Sequence, residues 1–244
     1  MAVPAPFREL NGQFVVDLPG ARAAFSTRRG GRSQGPFAAL NLGFATADDP
    51  VAQNRNRVIL RQLVDAPPVA WMHQVHGDGV AVLDDPAEIS ERPHVDGRAT
   101  TRHRVALGAL GADCLPVAIA GGGAAAIAHV GWRGLAGKTL AATVAVVREL
   151  AGDAAALDAA IGPGAGPCCY EVGAEVHAAF ADRPEARCGA NLDLKALARR
   201  QLSGAGVAQV HDIALCTICA PELFFSHRRD RGVTGRQAGV VWLT

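Results

Sequence analysis

Leu115-Pro116-Val117-Ala118-Ile119-Ala120, Gly121-Gly122-Gly123 and Ala124-Ala125-Ala126-Ile127-Ala128-His129 follow one another without interruption. Two apolar runs of strand length joined by glycines read as a β-hairpin, because a tight loop needs positive φ, which glycine adopts without steric penalty. With Gly121-Gly122 as the loop, Ala120 pairs with Gly123 and Cys114 stands directly opposite His129. Their Cβ atoms would then be about 5 Å apart on one face. A three-residue loop would turn one of the two to the other face.

Outward from the hairpin, three short stretches each carry one ligand for a soft metal: Gln74-Val75-His76-Gly77, Asp113-Cys114-Leu115-Pro116 and His129-Val130-Gly131-Trp132-Arg133-Gly134. Two histidines and a cysteine form a three-ligand set, and a catalytic zinc takes three protein ligands with a fourth position left open. The ligands are scattered, unlike the close pairs of a zinc finger, so the site is expected to assemble from separate strand ends. On local spacing alone His73 rivals His76. Taken singly, Cys114 also reads as a small buried hydrophobe and His129 as a satisfied core histidine.

The 244 residues carry 24 basic and 23 acidic side chains and are 49% hydrophobic. Such a chain has ample core, and its near-neutral charge points to neither nucleic acid nor membrane as partner. Lys138 and Lys195 are the only lysines, so arginine carries nearly all the positive charge. The N-terminal stretch is no secretory signal and no run has the length of a membrane span. The six cysteines are too few for a disulfide scaffold in a chain this long, which suggests a reducing cytoplasm.

Strands are expected at 12–18, 21–26, 69–72, 80–83, 105–110, 157–161, 207–213 and 239–243, with helices at 49–64, 135–150, 172–180 and 193–202. No composition shift or repeat divides them, so residues 1–244 read as one mixed α/β domain. Three tempting motifs fail. Gly137-Lys138-Thr139 lacks the earlier glycine of a phosphate-binding loop, position 132 being Trp. The prolines of Gly162-Pro163-Gly164-Ala165-Gly166-Pro167 remove N–H donors that an anion nest needs. Cys216-Thr217-Ile218-Cys219 has half-zinc-site spacing, but no second pair follows it, so a structural role is expected.

Taken in order, Phe25-Ser26-Thr27-Arg28, Leu40-Asn41-Leu42-Gly43, Gln74-Val75-His76-Gly77, Ala112-Asp113-Cys114-Leu115-Pro116 and His129-Val130-Gly131-Trp132-Arg133-Gly134 resemble the laccase-domain family. The likeness continues through Ile161-Gly162-Pro163, Cys169-Tyr170-Glu171-Val172-Gly173, Phe225-Ser226-His227-Arg228-Arg229-Asp230 and Thr234-Gly235-Arg236. Members have been called polyphenol oxidases and peptidoglycan editing factors. The resemblance implies an α/β fold, a four-layer sandwich of two mixed β-sheets flanked by helices. It places Zn2+ on His76, Cys114 and His129, favouring His76 over His73. It implies a purine nucleoside phosphorylase acting on adenosine, inosine, guanosine or methylthioadenosine with phosphate, and also an adenosine deaminase. Val130 and Gly111 depart from the commoner alanine and threonine.

A multicopper oxidase needs His-X-His pairs, and none of the eight histidines forms one. Cu2+ could still replace zinc, since copper binds nitrogen and sulfur sites strongly. For phosphate, Arg28, Arg133 and Arg228 are the candidates, because a guanidinium is a permanently charged, two-pronged donor. Asn41 and Gln74 suit base or ribose recognition, or else brace loop backbone. The alternative chemistry makes Cys114 a nucleophile with His129 as base, in a thiol amidohydrolase or an enzyme editing cell-wall precursors. The sequence names no protein partner.

Overall fold

The computed structural model describes residues 3–244. Its strands are β1 Arg8–Leu10, β2 Gln13–Leu18, β3 Ala21–Phe25, β4 Val69–Trp71, β5 Val80–Val82, β6 Gly97–Thr100 and β7 Ala106–Gly111. There follow β8 Leu115–Gly121, β9 Ala124–Val130, β10 Asp158–Ile161, β11 Arg187–Cys188, β12 Asn191–Leu192, β13 Gln209–Asp212 and β14 Gln237–Leu243. The helices are α1 Pro50–Val64, α2 Trp132–Ala136, α3 Thr139–Ala151, α4 Ala174–Ala179 and α5 Leu194–Gly204. One sheet runs β1-β2-β3-β14-β7-β4 and the other β13-β10-β8-β9-β6-β5, each mixing parallel and antiparallel pairs. β11 and β12 form a separate ribbon.

Side-chain alternation on the strands builds the layers. Val16, Ala23, Leu107 and Val241 of the first sheet meet Ala118, Ala120, Ala125, Ile127 and Ala160 of the second in one buried cluster. The opposite face of the second sheet, including Val117, Ile119 and Ala126, packs under Leu140, Val144 and Val147 of α3 and Leu197 of α5. The outer face of the first sheet, with Val15, Ala24 and Val240, packs under Leu60 and Val64 of α1. The result is the four-layer sandwich of two mixed sheets between helices. Small alanines line the seam between the sheets on the side of the second.

Two expectations are corrected. The hairpin pairs Gly121 with Ala124 and Pro116 with His129, two residues from the expected register. Gly122 (φ +58°) and Gly123 (φ +79°) form the corners of the turn, as a two-residue loop with both centres left-handed requires. Gly121 belongs to the strand for another reason: a Cβ there would lie 2.1 Å from the Ala156 carbonyl oxygen. Because the displacement is even, Cys114 keeps the face of His129 and becomes its diagonal neighbour.

The expected helix 135–150 is two helices. It breaks at Gly137 and at Lys138, whose φ is +64°. The break sets the Thr139 hydroxyl between the carbonyls of Gly77 (2.8 Å) and Gly134 (2.9 Å), which share its one proton, tying the start of α3 to the His76 loop. The caps of α1 and α5 are as the sequence indicates: Asp49 accepts from Val51 and Ala52, and Asp193 from Ala196.

The chain passes from the first sheet to the second between β4 and β5 and again between β7 and β8. His76 lies in the first crossover and Cys114 in the second.

Candidate metal centre

The ligand atoms of His76, Cys114 and His129 all lie within 4.8 Å of one another. His129, near the end of β9, is buried; Cys114 is half-buried and His76 exposed. The two imidazoles stand edge to face, centroids 4.9 Å apart at 81°. His73 instead stacks on His94 at 4.3 Å.

Local backbone choices bring the three together. His76 (φ +61°) and Asp113 (φ +99°) both occupy the left-handed region, uncommon for residues with a Cβ. The Asp113 carboxylate holds its turn by accepting from the Thr217 hydroxyl at 2.6 Å and the Arg228 N–H at 2.7 Å. Gly131 has to lack a side chain, because a Cβ there would come within 2.8 Å of the Cys114 sulfur.

Asp96, fully buried just before β6, is the residue that sequence reasoning missed. Its Oδ1 lies 2.8 Å from His129 Nδ1, leaving Nε2 of that ring for a metal. Its Oδ2 accepts the N–H groups of Val75 (3.0 Å) and Gly77 (2.8 Å), on either side of His76. One carboxylate therefore orients one histidine ligand and clasps the loop of the other. Such carboxylate–histidine contacts fix the tautomer of metal-binding imidazoles. Burial raises the Asp96 pKa, but the hydrogen bonds from His129 and Gly77 outweigh it and hold the carboxylate below its ordinary range.

Burial likewise opposes ionisation of Cys114 and of His129, yet their mutual attraction wins. The thiol is drawn down to about 6 by His129 and His76, and His129 is raised to about 9 by Cys114 and Asp96. A thiolate flanked by two oriented imidazoles is a donor set that fits zinc and also accepts copper.

The group lies in a cleft of about 590 Å3, within the size range of small-molecule sites. Phe44, Trp132 and Tyr170 supply aromatic surface, and Arg92, Arg133, Arg228 and Arg236 supply positive charge. Arg133 stacks over Trp132 at 4.3 Å and has no hydrogen-bond acceptor among the described residues. Arg228 stacks over Tyr170 at 5.2 Å and donates through Nη1 to the Glu171 carbonyl at 2.6 Å. Arg236 donates to the Thr234 and Gly235 carbonyls. It belongs to a motif quoted above, but nothing in its spacing marked it out.

The remaining sequence candidates are placed differently. Arg28 does not line the cleft: its guanidinium donates to the Ala38 (2.7 Å) and Pro221 (3.0 Å) carbonyls and stacks over Phe225. Asn41 is fully buried and donates to Thr46 and Asp48, while its oxygen accepts from Gly43 and Arg236. It shapes the wall that carries Phe44 and does not face the cleft. Gln74 lines the cleft, but its amide is bonded at both ends to the Leu110 backbone. For Asn41 and Gln74 the bracing alternative matches the observed contacts.

A family model described as multi-copper polyphenol oxidoreductase laccase matches residues 22–244. The chain is 42% identical to a purine nucleoside phosphorylase of Xylella fastidiosa, covering 92% of this chain and 93% of that one. It is 41% identical to a purine nucleoside phosphorylase of Streptomyces coelicolor, covering 92% and 96%. A crystal structure of a Neisseria meningitidis protein superimposes with a TM-score of 0.83 at 37% identity, covering 95% of this chain and 99% of that one.

Proposed function

The chain belongs to the multi-copper polyphenol oxidoreductase laccase family, and from that premise we propose that it is a zinc-dependent purine nucleoside phosphorylase that also deaminates adenosine. The observation that carries this reading is the pairing of a three-ligand metal group with a cleft that joins aromatic surface to free guanidinium. Similarity to proteins named purine nucleoside phosphorylase supplies the substrate class, a nucleoside and phosphate.

His76, Cys114 and His129 hold the ion, with Asp96 orienting His129. Zinc, when bound, supplies a Lewis acid that can lower the pKa of water towards neutrality. The protein's own residues do the rest. Phe44, Trp132 and Tyr170 offer ring faces for the purine, which stacks on aromatic surface. Arg133 and Arg228 hold phosphate against the sugar carbon whose bond to the base breaks. Arg133 has the stronger claim, since its guanidinium makes no hydrogen bond among the described residues. Adenosine, inosine, guanosine and methylthioadenosine share the purine and sugar that this arrangement recognises. The three ligands include none of the His-X-His pairs of a multicopper cluster, so oxidase chemistry has no second copper site of that kind here.

A second reading rests on the contiguous chain Asp96, His129 and Cys114, which has the order of a nucleophile, base and orienting carboxylate. It would make the protein a thiol amidohydrolase. One experiment separates the two. A panel of nucleosides is incubated with and without phosphate, before and after chelation, and products are resolved by chromatography. Phosphate-dependent release of free base, lost on chelation and restored by zinc, is expected. Activity indifferent to chelation but abolished by thiol alkylation would overturn the metalloenzyme.

A further inference from the structure

Away from the cleft floor, the Cys216-Thr217-Ile218-Cys219 segment does have a partner pair, lying earlier in the chain. The sulfurs of Cys168, Cys169, Cys216 and Cys219 all lie within 4.8 Å of one another. Cys169 and Cys219 are 3.1 Å apart, and Cys168 and Cys219 are 3.4 Å apart. Four thiolates at the usual zinc–sulfur length of about 2.3 Å stand roughly 3.8 Å from one another, the edge of the tetrahedron they form. Two of the sulfur pairs stand somewhat inside that edge and none is more than 4.8 Å apart. Hydrophobic burial does not explain the gathering, because Cys168 and Cys219 are exposed and the other two only half-buried.

We propose that Cys168, Cys169, Cys216 and Cys219 form a second, structural zinc site that clips the 162–169 loop to the 214–219 loop. The two loops are already in register: Gly164 and Cys216 form a parallel bridge, and the Thr217 N–H donates to the Gly164 carbonyl at 3.0 Å. The Gly166 N–H donates to the Cys216 sulfur at 3.3 Å. A Cβ on Gly166 would come within 3.2 Å of the Cys216 Cβ and 3.3 Å of the Cys168 sulfur, so the loop packs closely against both cysteines there.

Two cations stand near such a site, each also paired with a carboxylate: Lys195 with Asp212 at 3.0 Å and Arg229 with Asp230 at 2.7 Å. A dication with four thiolates carries two net negative charges, the thiol protons having left to solvent. Close by, the buried Lys195 ammonium donates to the Leu215 carbonyl at 3.1 Å, and Arg229 donates to the Thr217 carbonyl at 2.8 Å.

The clip would reach the cleft through the chain itself. Cys169 precedes Tyr170, which lines the cleft, and Cys216 precedes Thr217, whose hydroxyl holds Asp113 beside Cys114. The site has four protein ligands and no open position, so its role is structural.

Metal content by elemental analysis of the full chain, purified under reducing conditions, tests this. Wild-type protein should hold two zinc ions per chain, and Cys216→Ser/Cys219→Ser should hold one. Cys188→Ser, the control, should keep two. Should the double variant fail to fold, His76→Ala/His129→Ala titrated with Co2+ carries the test. It should show the strong sulfur-to-cobalt absorption of a four-thiolate site. A single zinc in wild-type protein that persists in Cys216→Ser/Cys219→Ser overturns the proposal. So does a count below the six thiols of the sequence when protein isolated without reductant is denatured anaerobically and titrated, because sulfurs paired as disulfides would then account for the gathering.

Discussion

Arg133 and Asp96 are the side chains on which the proposed chemistry can be most sharply divided. Phosphorolysis needs phosphate held by arginine, whereas deamination needs none. Arg133→Ala should therefore depress inosine phosphorolysis by about 30- to 1000-fold, the equivalent of roughly 2–4 kcal/mol for a charged two-pronged contact. Adenosine deamination should fall far less, and His76→Ala should abolish both. Equal losses in Arg133→Ala would assign that residue to nucleoside positioning and pass the phosphate role to Arg228. Asp96→Asn should weaken zinc binding at the first site by about 10- to 100-fold, measured by competition with a chromophoric chelator. The ligands were legible in the sequence because each is a chemically distinctive residue inside a short motif. Asp96 was not, since an aspartate before Gly97-Arg98-Ala99-Thr100 looks like any loop acid until the fold puts it under His129. Arg28 shows the converse: motif membership names a residue without saying whether it faces substrate or backbone carbonyls.

At the level of elements, the β8–β9 hairpin shows what patterning can and cannot specify. Two apolar runs and three glycines announced the hairpin, but the two-residue loop read at Gly121-Gly122 lies one residue further on, at Gly122-Gly123. The deciding contact, Gly121 against the Ala156 carbonyl, comes from a segment 35 residues further on and has no local signature. Gly121→Ala should cost about 1–3 kcal/mol or more through overpacking against backbone. Gly123→Asn should cost under about 1 kcal/mol, because asparagine tolerates left-handed φ and nothing lies within 4 Å of the site. Urea denaturation midpoints give both values, and the reverse order would mean that the turn lies at Gly121-Gly122 after all. β6 went unseen for a related reason. Its four residues hold a single β-branched side chain, and Arg98, buried by its bonds to the Trp71 and Glu91 carbonyls, looks like a surface residue in the sequence. The break after α2 was hidden by an unbroken apolar period, since Lys138 looks acceptable in a helix until its φ is known.

Across the whole molecule, the two sheets meet through a seam in which Ala118, Ala120, Ala125 and Ala160 are fully buried. Interiors are packed as densely as organic crystals, so this narrow seam has little space for extra carbon atoms. Ala125→Leu should destabilise the protein by about 1–3 kcal/mol, read as a lower denaturant midpoint with an unchanged slope. A neutral result would reveal an unfilled cavity between the sheets. The layer order was legible through the resemblance of many short motifs, while the tight alanine seam needed coordinates, because alanine marks helix and strand alike. The two crossovers from the first sheet to the second supply His76 and Cys114, and the second sheet supplies His129. An ion held there works as a rivet through the seam, joining two of the points at which the backbone changes sheets. Stripped of it, the sheets would keep their hydrogen bonds yet slide more easily past one another, so the amides whose exchange with deuterium quickens most should be those of Val75 and Gly77, at the rivet's exposed head.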